Sequence, residues 1–84
     1  MKYQVLWTPT AERDLAEVWL RAGDRASITS AAESVDRLLE DDAHARGESR
    51  LGDLRVMFIS PLGVSFEAHQ QDRVAYVLAV WSIR

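Results

Sequence analysis

Apolar and polar side chains alternate along Tyr3-Gln4-Val5-Leu6-Trp7-Thr8, with Tyr3, Val5 and Trp7 on one face and Gln4, Leu6 and Thr8 on the other. That period of two predicts a strand. At Thr8-Pro9 the period changes. Thr8 suits an N-cap and Pro9 a first helical position, and Ala11, Leu15, Val18, Trp19 and Ala22 then recur as one helical stripe. Glu12, Arg13, Asp14, Glu17 and Arg21 cover the wet side. Gly23 predicts a left-handed stop and Asp24 a second cap, after which Ile28, Ala31, Ala32, Val35, Leu38 and Leu39 carry a second helix to about residue 41. So short a link folds the two helices back on each other as an antiparallel hairpin.

Residues 42–52 are polar, contain Gly47 and Gly52, and read as a loop. Beyond them the period of two returns. Leu54, Val56 and Phe58 alternate with Arg55, Met57 and Ile59, and Ser60-Pro61-Leu62-Gly63 predicts a turn. Val64 to His69 reads as a half-buried strand, Gln70-Gln71-Asp72 as another turn, and Val74 to Trp81 as a strand buried on both faces. The order βααβββ predicts an α+β fold of two layers, a helical hairpin packed on an antiparallel sheet. The last three strands form a meander, because their connections are too short to cross over. With no internal repeat, low-complexity segment or linker, residues 1–84 read as a single domain.

Composition adds to this picture. A hydrophobic share of 48%, with three Trp, supplies the dense core that so short a chain needs. No cysteine is present to help, as expected of a reducing cytoplasm. The N-terminus lacks the apolar stretch of a signal peptide and no apolar run approaches a membrane span, so the expectation is a soluble, cytoplasmic chain with no membrane partner. A formal charge of −3 and a pI near 5.2 argue against a surface given over to phosphate backbones.

The opening Tyr3-Gln4-Val5-Leu6-Trp7-Thr8-Pro9-Thr10-Ala11-Glu12-Arg13-Asp14-Leu15 resembles the start of the RelE/ParE toxin superfamily, where a strand runs into a W-T-P-x-A-x-x-D-L helix. Arg73 to Trp81 is similar to that family's last strand, while Arg55-Val56-Met57-Phe58 and Val64-Ser65-Phe66-Glu67 fall where its two middle strands belong. The likeness spans essentially the whole chain, and its specificity lies in the order and spacing of short motifs. It implies a type II toxin–antitoxin (plasmid stabilisation) context in bacteria, a cognate antitoxin as partner, and activity on the open face of the sheet. In the ribosome-dependent branch, basic residues and a C-terminal Tyr or His cleave messenger RNA, with cations set against the developing phosphorane charge and a group to move the 2′-hydroxyl proton. In the ParE branch the target is DNA gyrase.

The sequence departs from the nuclease pattern. The family's middle strand usually reads Tyr-Arg-Val-Leu-Tyr, and Leu62-Gly63-Val64-Ser65-Phe66 puts Gly63 in the arginine's place. Ala79 stands where the last strand carries an arginine, and Ser82 falls near the acid/base aromatic. The expectation is a toxin-like component that acts by protein binding, its ribonuclease residues lost. The alternative is an endoribonuclease using Arg50, Arg55 and Arg84 in altered positions. A non-toxic fold relative, or a homodimer pairing strand edges, is a third reading.

The residues singled out each have a bland reading beside the functional one. Arg55 and Glu67 are expected on the sheet face away from the helices, either binding a phosphate with Arg50 or pairing across strands for about 0.2–1 kcal/mol. His69 shares a face with Glu67 and is either a base or a solvated strand end. Asp41, Asp42 and His44 resemble metal ligands in composition but not in spacing, and read as a frayed acidic helix end that opposes the helix dipole. Ser49 lacks a triad partner at any sensible spacing. Trp19 is expected in the core, while Trp7 and Trp81 are expected to be partly exposed, with Trp81 a candidate anchor for a partner protein. No cofactor or metal is implied. The candidate binding set is Arg50, Arg55, Glu67, Trp81 and Arg84.

Overall fold

The computed structural model describes residues 2–83. Strand β1 (Gln4–Trp7) leads into helix α1 (Pro9–Arg21) and helix α2 (Arg25–Asp42). A 3-10 turn (Ala43–Ala45) precedes strands β2 (Glu48–Leu51), β3 (Leu54–Ile59), β4 (Leu62–His69) and β5 (Val74–Ser82). The helices cover one face of a five-stranded sheet of order β1-β5-β4-β3-β2. The fold is α+β in two layers, as the pattern predicts, with two differences. β1 runs parallel to β5, so the sheet is mixed rather than antiparallel throughout. The stretch expected as a loop supplies the 3-10 turn and β2. β2 shows no alternation because it is an edge strand with all four residues exposed.

The W-T-P-x-A-x-x-D-L stretch fastens α1 to β5. The Thr8 hydroxyl accepts from the Ala11 N–H at 3.2 Å, capping the helix, and donates to the Val77 carbonyl at 2.9 Å. Asp14 accepts the Val80 N–H at 3.2 Å. β1 pairs with β5 only as far as Trp7 and Val77, so the carboxylate serves a backbone donor that β1 does not reach. Asp24 caps α2 through the Ser27 N–H, as expected. Gly23 does not supply a left-handed stop. α1 ends at Ala22 in extended backbone, φ −74 and ψ 142, which feeds straight into the Asp24 cap.

The acidic end of α2 is tied down rather than frayed. α2 has no basic residue in its last turn, and Arg46 reaches back from beyond it. Its guanidinium donates to the Leu38 carbonyl at 3.4 Å and to Asp41 at 3.0 Å, bringing a positive charge to the negative end of the dipole. Gly47 follows at φ +66, with no room for a Cβ beside the Val56 carbonyl. β2 then pairs Glu48 with Val56, Ser49 with Arg55 and Leu51 with Leu54, leaving Arg50 as a bulge residue.

The core lies between the layers. Phe66, Leu39, Leu62, Val35, Val64 and Val77 are fully buried. β4 alternates cleanly, its inward positions Leu62, Val64, Phe66 and Ala68 all buried. It starts two residues earlier than its apolar pattern suggests, because Ser60 and Pro61 alone make the turn from Ile59 to Leu62. β5 is not buried on both faces: Tyr76 looks outward, 37% exposed. Trp19 is likewise outside the core at 39% exposure. Among the described residues, no helix is long and apolar enough to cross a membrane.

Candidate functional site

Strand register decides what the uncovered face of the sheet presents. Phe58, Gly63 and Trp81 stand side by side across β3, β4 and β5. The next row is Val56, Ser65 and Ala79, and the next is Leu54, Glu67, Tyr76 and Leu6. His69, Val74 and Gln4 make a fourth. Among the described residues, no lysine or arginine occupies an outward position of β3, β4 or β5.

Gly63 is the key to the first row. A Cβ built there would stand 2.4 Å from Cε2 and Nε1 of the Trp81 indole, far inside van der Waals contact, so glycine is what lets that ring lie down across β4. Trp81 then meets Phe58 edge to face, centroids 6.4 Å apart and planes at 80°. Phe58 remains 55% exposed and Leu6 40% exposed. The place where the resemblance expects an arginine is thus filled by an aromatic ring.

Arg55 and Glu67 do not share a face. Arg55 pairs with Phe66 and Glu67 with Leu54, so they stand one residue apart in register and on opposite sides of β3 and β4. Arg55 points to the helix side, where its Nε donates to the Arg46 carbonyl at 2.6 Å and its Nη2 to that of Gly47 at 3.2 Å. It ties β3 to the end of α2. Arg50 is exposed and pairs with Glu48 at 2.8 Å. Arg84 lies outside the described residues. Of the expected set, Glu67 and Trp81 occupy outward positions of β4 and β5, and Arg50 stands on the edge strand beside Glu48, which pairs with the outward Val56.

His69 joins them through a partner invisible in the sequence. Its Nε2 lies 3.0 Å from Glu67 Oε1, and its Nδ1 faces Asp53 Oδ2 at 3.4 Å, at the tip of the β2–β3 hairpin. The ring also stands edge-on to Tyr76, centroids 5.5 Å apart. The hydrogen bond to Glu67 raises the imidazole pKa; desolvation opposes the shift, and the negative charges of Asp53, Glu67 and Asp72 add to it. With a carboxylate at each ring nitrogen, His69 bridges β4 and the hairpin tip, which makes it a clasp more than a general base. Ser49 sits on β2 opposite Arg55, while both hydrogen-bonding edges of His69 face carboxylates.

A second surface lies on the other side of the molecule, between the helices. An apolar groove of about 590 Å³ is floored by Trp7, Leu15, Trp19, Leu20, Ile28 and Ala32. Glu12, Glu33 and Asp36 stand around it. The Trp7 indole donates to Asp36 at 2.7 Å, and the Arg25 guanidinium covers the Trp19 ring at 4.4 Å. The helical stripe did not identify this groove. Its signal was Leu20, apolar but off the stripe, and it stays 62% exposed.

No protein-family model matches the sequence, and no curated protein is similar to it. Solved structures are similar in fold. A chain of the RelBE2 toxin–antitoxin complex from Mycobacterium tuberculosis is 18% identical, with a TM-score of 0.73 over 98% of this chain and 92% of that one. The chromosomal ParDE system of P. aeruginosa gives 17% identity and a TM-score of 0.70 over 99% and 98%. The archaeal RelE–RelB complex from Pyrococcus horikoshii OT3 gives 17% and 0.70 over 98% and 96%. The resemblance read from the strand–helix opening and the closing strands is therefore borne out at the level of architecture: the chain has the RelE/ParE toxin fold.

Proposed function

We propose that this chain is a toxin-like component of a bacterial type II toxin–antitoxin system, held by a cognate antitoxin and acting in the cytoplasm by binding a protein rather than by cutting RNA. The observation that carries this reading is the row Phe58, Gly63 and Trp81. On a fold whose similar solved structures are named as toxin–antitoxin complexes, the outward positions of β3, β4 and β5 offer aromatic surface and, among the described residues, no lysine or arginine. A phosphoryl-transfer site needs positive charge where the phosphorane forms. A protein interface needs half-exposed aromatic anchors, and Trp is the residue most enriched among them. The acidic balance of the chain, −3, points the same way.

DNA gyrase is the target that the ParE likeness suggests, and the ribosome the one that the RelE likeness suggests. The aromatic face favours the first. The test is growth after induction of the chain in a bacterial host, with and without the adjacent small open reading frame. Arrest relieved by the neighbour, with messenger RNA intact and with toxicity lost in Trp81→Ala, is the expected result. Ribosome-dependent cleavage of messenger RNA by the purified chain would overturn the binding mechanism, and undisturbed growth with folded protein present would overturn the toxin assignment.

A further inference from the structure

A sheet with one wet side normally turns polar residues to it. The four outward rows do not follow that rule. Glu67 is their one carboxylate, and among the described residues they hold no lysine or arginine. Leu6, Phe58 and Tyr76 stand exposed there, and Leu54, Val56 and Trp81 are half-buried. The face also has relief. The bar made by Phe58 and the indole laid over Gly63 runs beside a row of short side chains, Val56, Ser65 and Ala79. Neighbouring rows are two residues apart along the strands, about 7 Å. A ridge beside a trough of the same pitch is the relief by which a surface fits a copy of itself.

From this relief we infer that the open face pairs with the open face of a second copy of the chain in a two-fold dimer. The axis lies between the two sheets, parallel to the rows and midway between the first and the second. A half-turn about it sets the Phe58–Trp81 bar of each protomer into the trough of the other, with the sheets about 10 Å apart. Area agrees. Five strands at about 4.8 Å and rows spanning about 20 Å give roughly 500 Å² of flat face, and side-chain relief brings the total buried by two copies to about 1,200 Å², the lower end of stable interfaces. Charge agrees as well. Glu48 is paired with Arg50, Glu67 and Asp53 flank His69, and Asp72 stands near that ring. The two-fold carries this acidic end toward the Ser60–Pro61 turn of the other copy and not onto itself. The inference rests on the reading of the open face as a protein-binding surface, and it adds a regulation of that surface. The dimer hides Trp81, and dilution frees the monomer that meets a target, which is also the state that unfolding in dilute solution reports.

Sedimentation equilibrium of the full chain is the test. The mass should rise from 9.5 kDa toward twice that value across the micromolar range and stop there. In a sample mixing isotope-labelled and unlabelled chains, the Trp81 ring should show magnetisation transfer to the Ala79 methyl across the interface. Trp81→Ala should weaken association about thirtyfold or more, as loss of a central anchor does, and Phe58→Ser about tenfold. Ala79→Arg fills the trough and should leave only monomer, while Leu20→Ser, on the helix side, should change nothing. An unfolding curve for each variant confirms that it is folded. Added salt should leave the affinity unchanged or raise it slightly, since no ion pair spans the axis. A chain that stays at 9.5 kDa up to millimolar concentration, a mass that climbs past the dimer, or a dimer that survives Ala79→Arg would each overturn the inference. A monomer that still arrests growth through Trp81 removes the dimer and leaves the toxin reading standing. A dimer formed as expected, in a chain that never arrests growth, supports the pairing and removes the toxin.

Discussion

The two faces of β4 carry opposite kinds of information. Inward, Leu62, Val64, Phe66 and Ala68 are all but completely buried, and any well-packed set of similar volume would serve there. Outward, Gly63, Ser65, Glu67 and His69 each have a particular neighbour: the Trp81 indole for Gly63, Ala79 for Ser65, and for the last two each other. One face answers to volume and the other to identity. The strand therefore holds the fold with one set of residues and sets the surface with the other, and substitutions on the two sides should fail differently.

The sharpest contrast is between two phenylalanines. Phe66→Ala removes the largest fully buried side chain and should cost about 3–5 kcal/mol, a large share of what a domain of this size has to lose. Phe58→Ala removes a ring that is more than half exposed and touches Trp81 by its edge, so it should cost about 1 kcal/mol. Urea unfolding of both variants measures the difference. Similar losses would mean that the outer face is covered in solution, and the comparison between faces would collapse.

Next comes Gly63. Gly63→Val drives two methyl groups into the Trp81 indole and should destabilise by about 1–3 kcal/mol. In a Trp81→Ala background the same substitution should be far milder, because the obstacle is gone, and a double-mutant cycle should report that coupling directly. An undiminished cost in the second background would place the strain in the β4 backbone and not in the ring.

Arg55 tests the same division from the helix side. Arg55→Ala removes the donor to two backbone carbonyls and should cost about 1–2 kcal/mol. Combined with Glu67→Ala it should show no coupling, since the two side chains lie on opposite faces. A coupling as large as a cross-strand ion pair, about 0.5 kcal/mol or more, would restore the pairing that their types suggest.

That pairing shows where the sequence could and could not be read. Helices, caps and the inward rows follow from periodicity, because burial acts on many residues at once and writes a period. The Thr8 and Asp24 caps were legible from residue type alone. The first strand's parallel pairing with β5 is not periodic information at all, and β2 writes no period because nothing covers it. Arg55 and Glu67 failed for a related reason. Each lies on a strand that was recognised, but which of them faces outward depends on the register between strands, and a shift of one residue moves a side chain to the other face. Trp81 is an anchor candidate by residue type, yet its bed on Gly63 depends on those two residues being neighbours across β4 and β5.

The smallest expected effect belongs to His69, and it separates a clasp from a base. Protonated, the ring donates to Glu67 and faces Asp53, holding the β2–β3 hairpin tip to β4 beside the backbone bond from Ala68 to the Asp53 carbonyl. Its pKa in the fold is raised above the ordinary 6.5, first by the hydrogen bond to Glu67. The sign follows from linkage. The unfolded chain releases this proton near pH 6.5 while the folded chain still holds it, so the clasp contributes fully below 6.5 and its contribution is lost as pH rises through the higher folded value. A histidine titration followed by NMR should give a midpoint above 6.5, and His69→Gln should remove that part of the pH dependence of unfolding without touching its acid limb. A midpoint at or below 6.5 would mean that the carboxylates do not hold the ring, and His69 would return to being a free base at the edge of the open face.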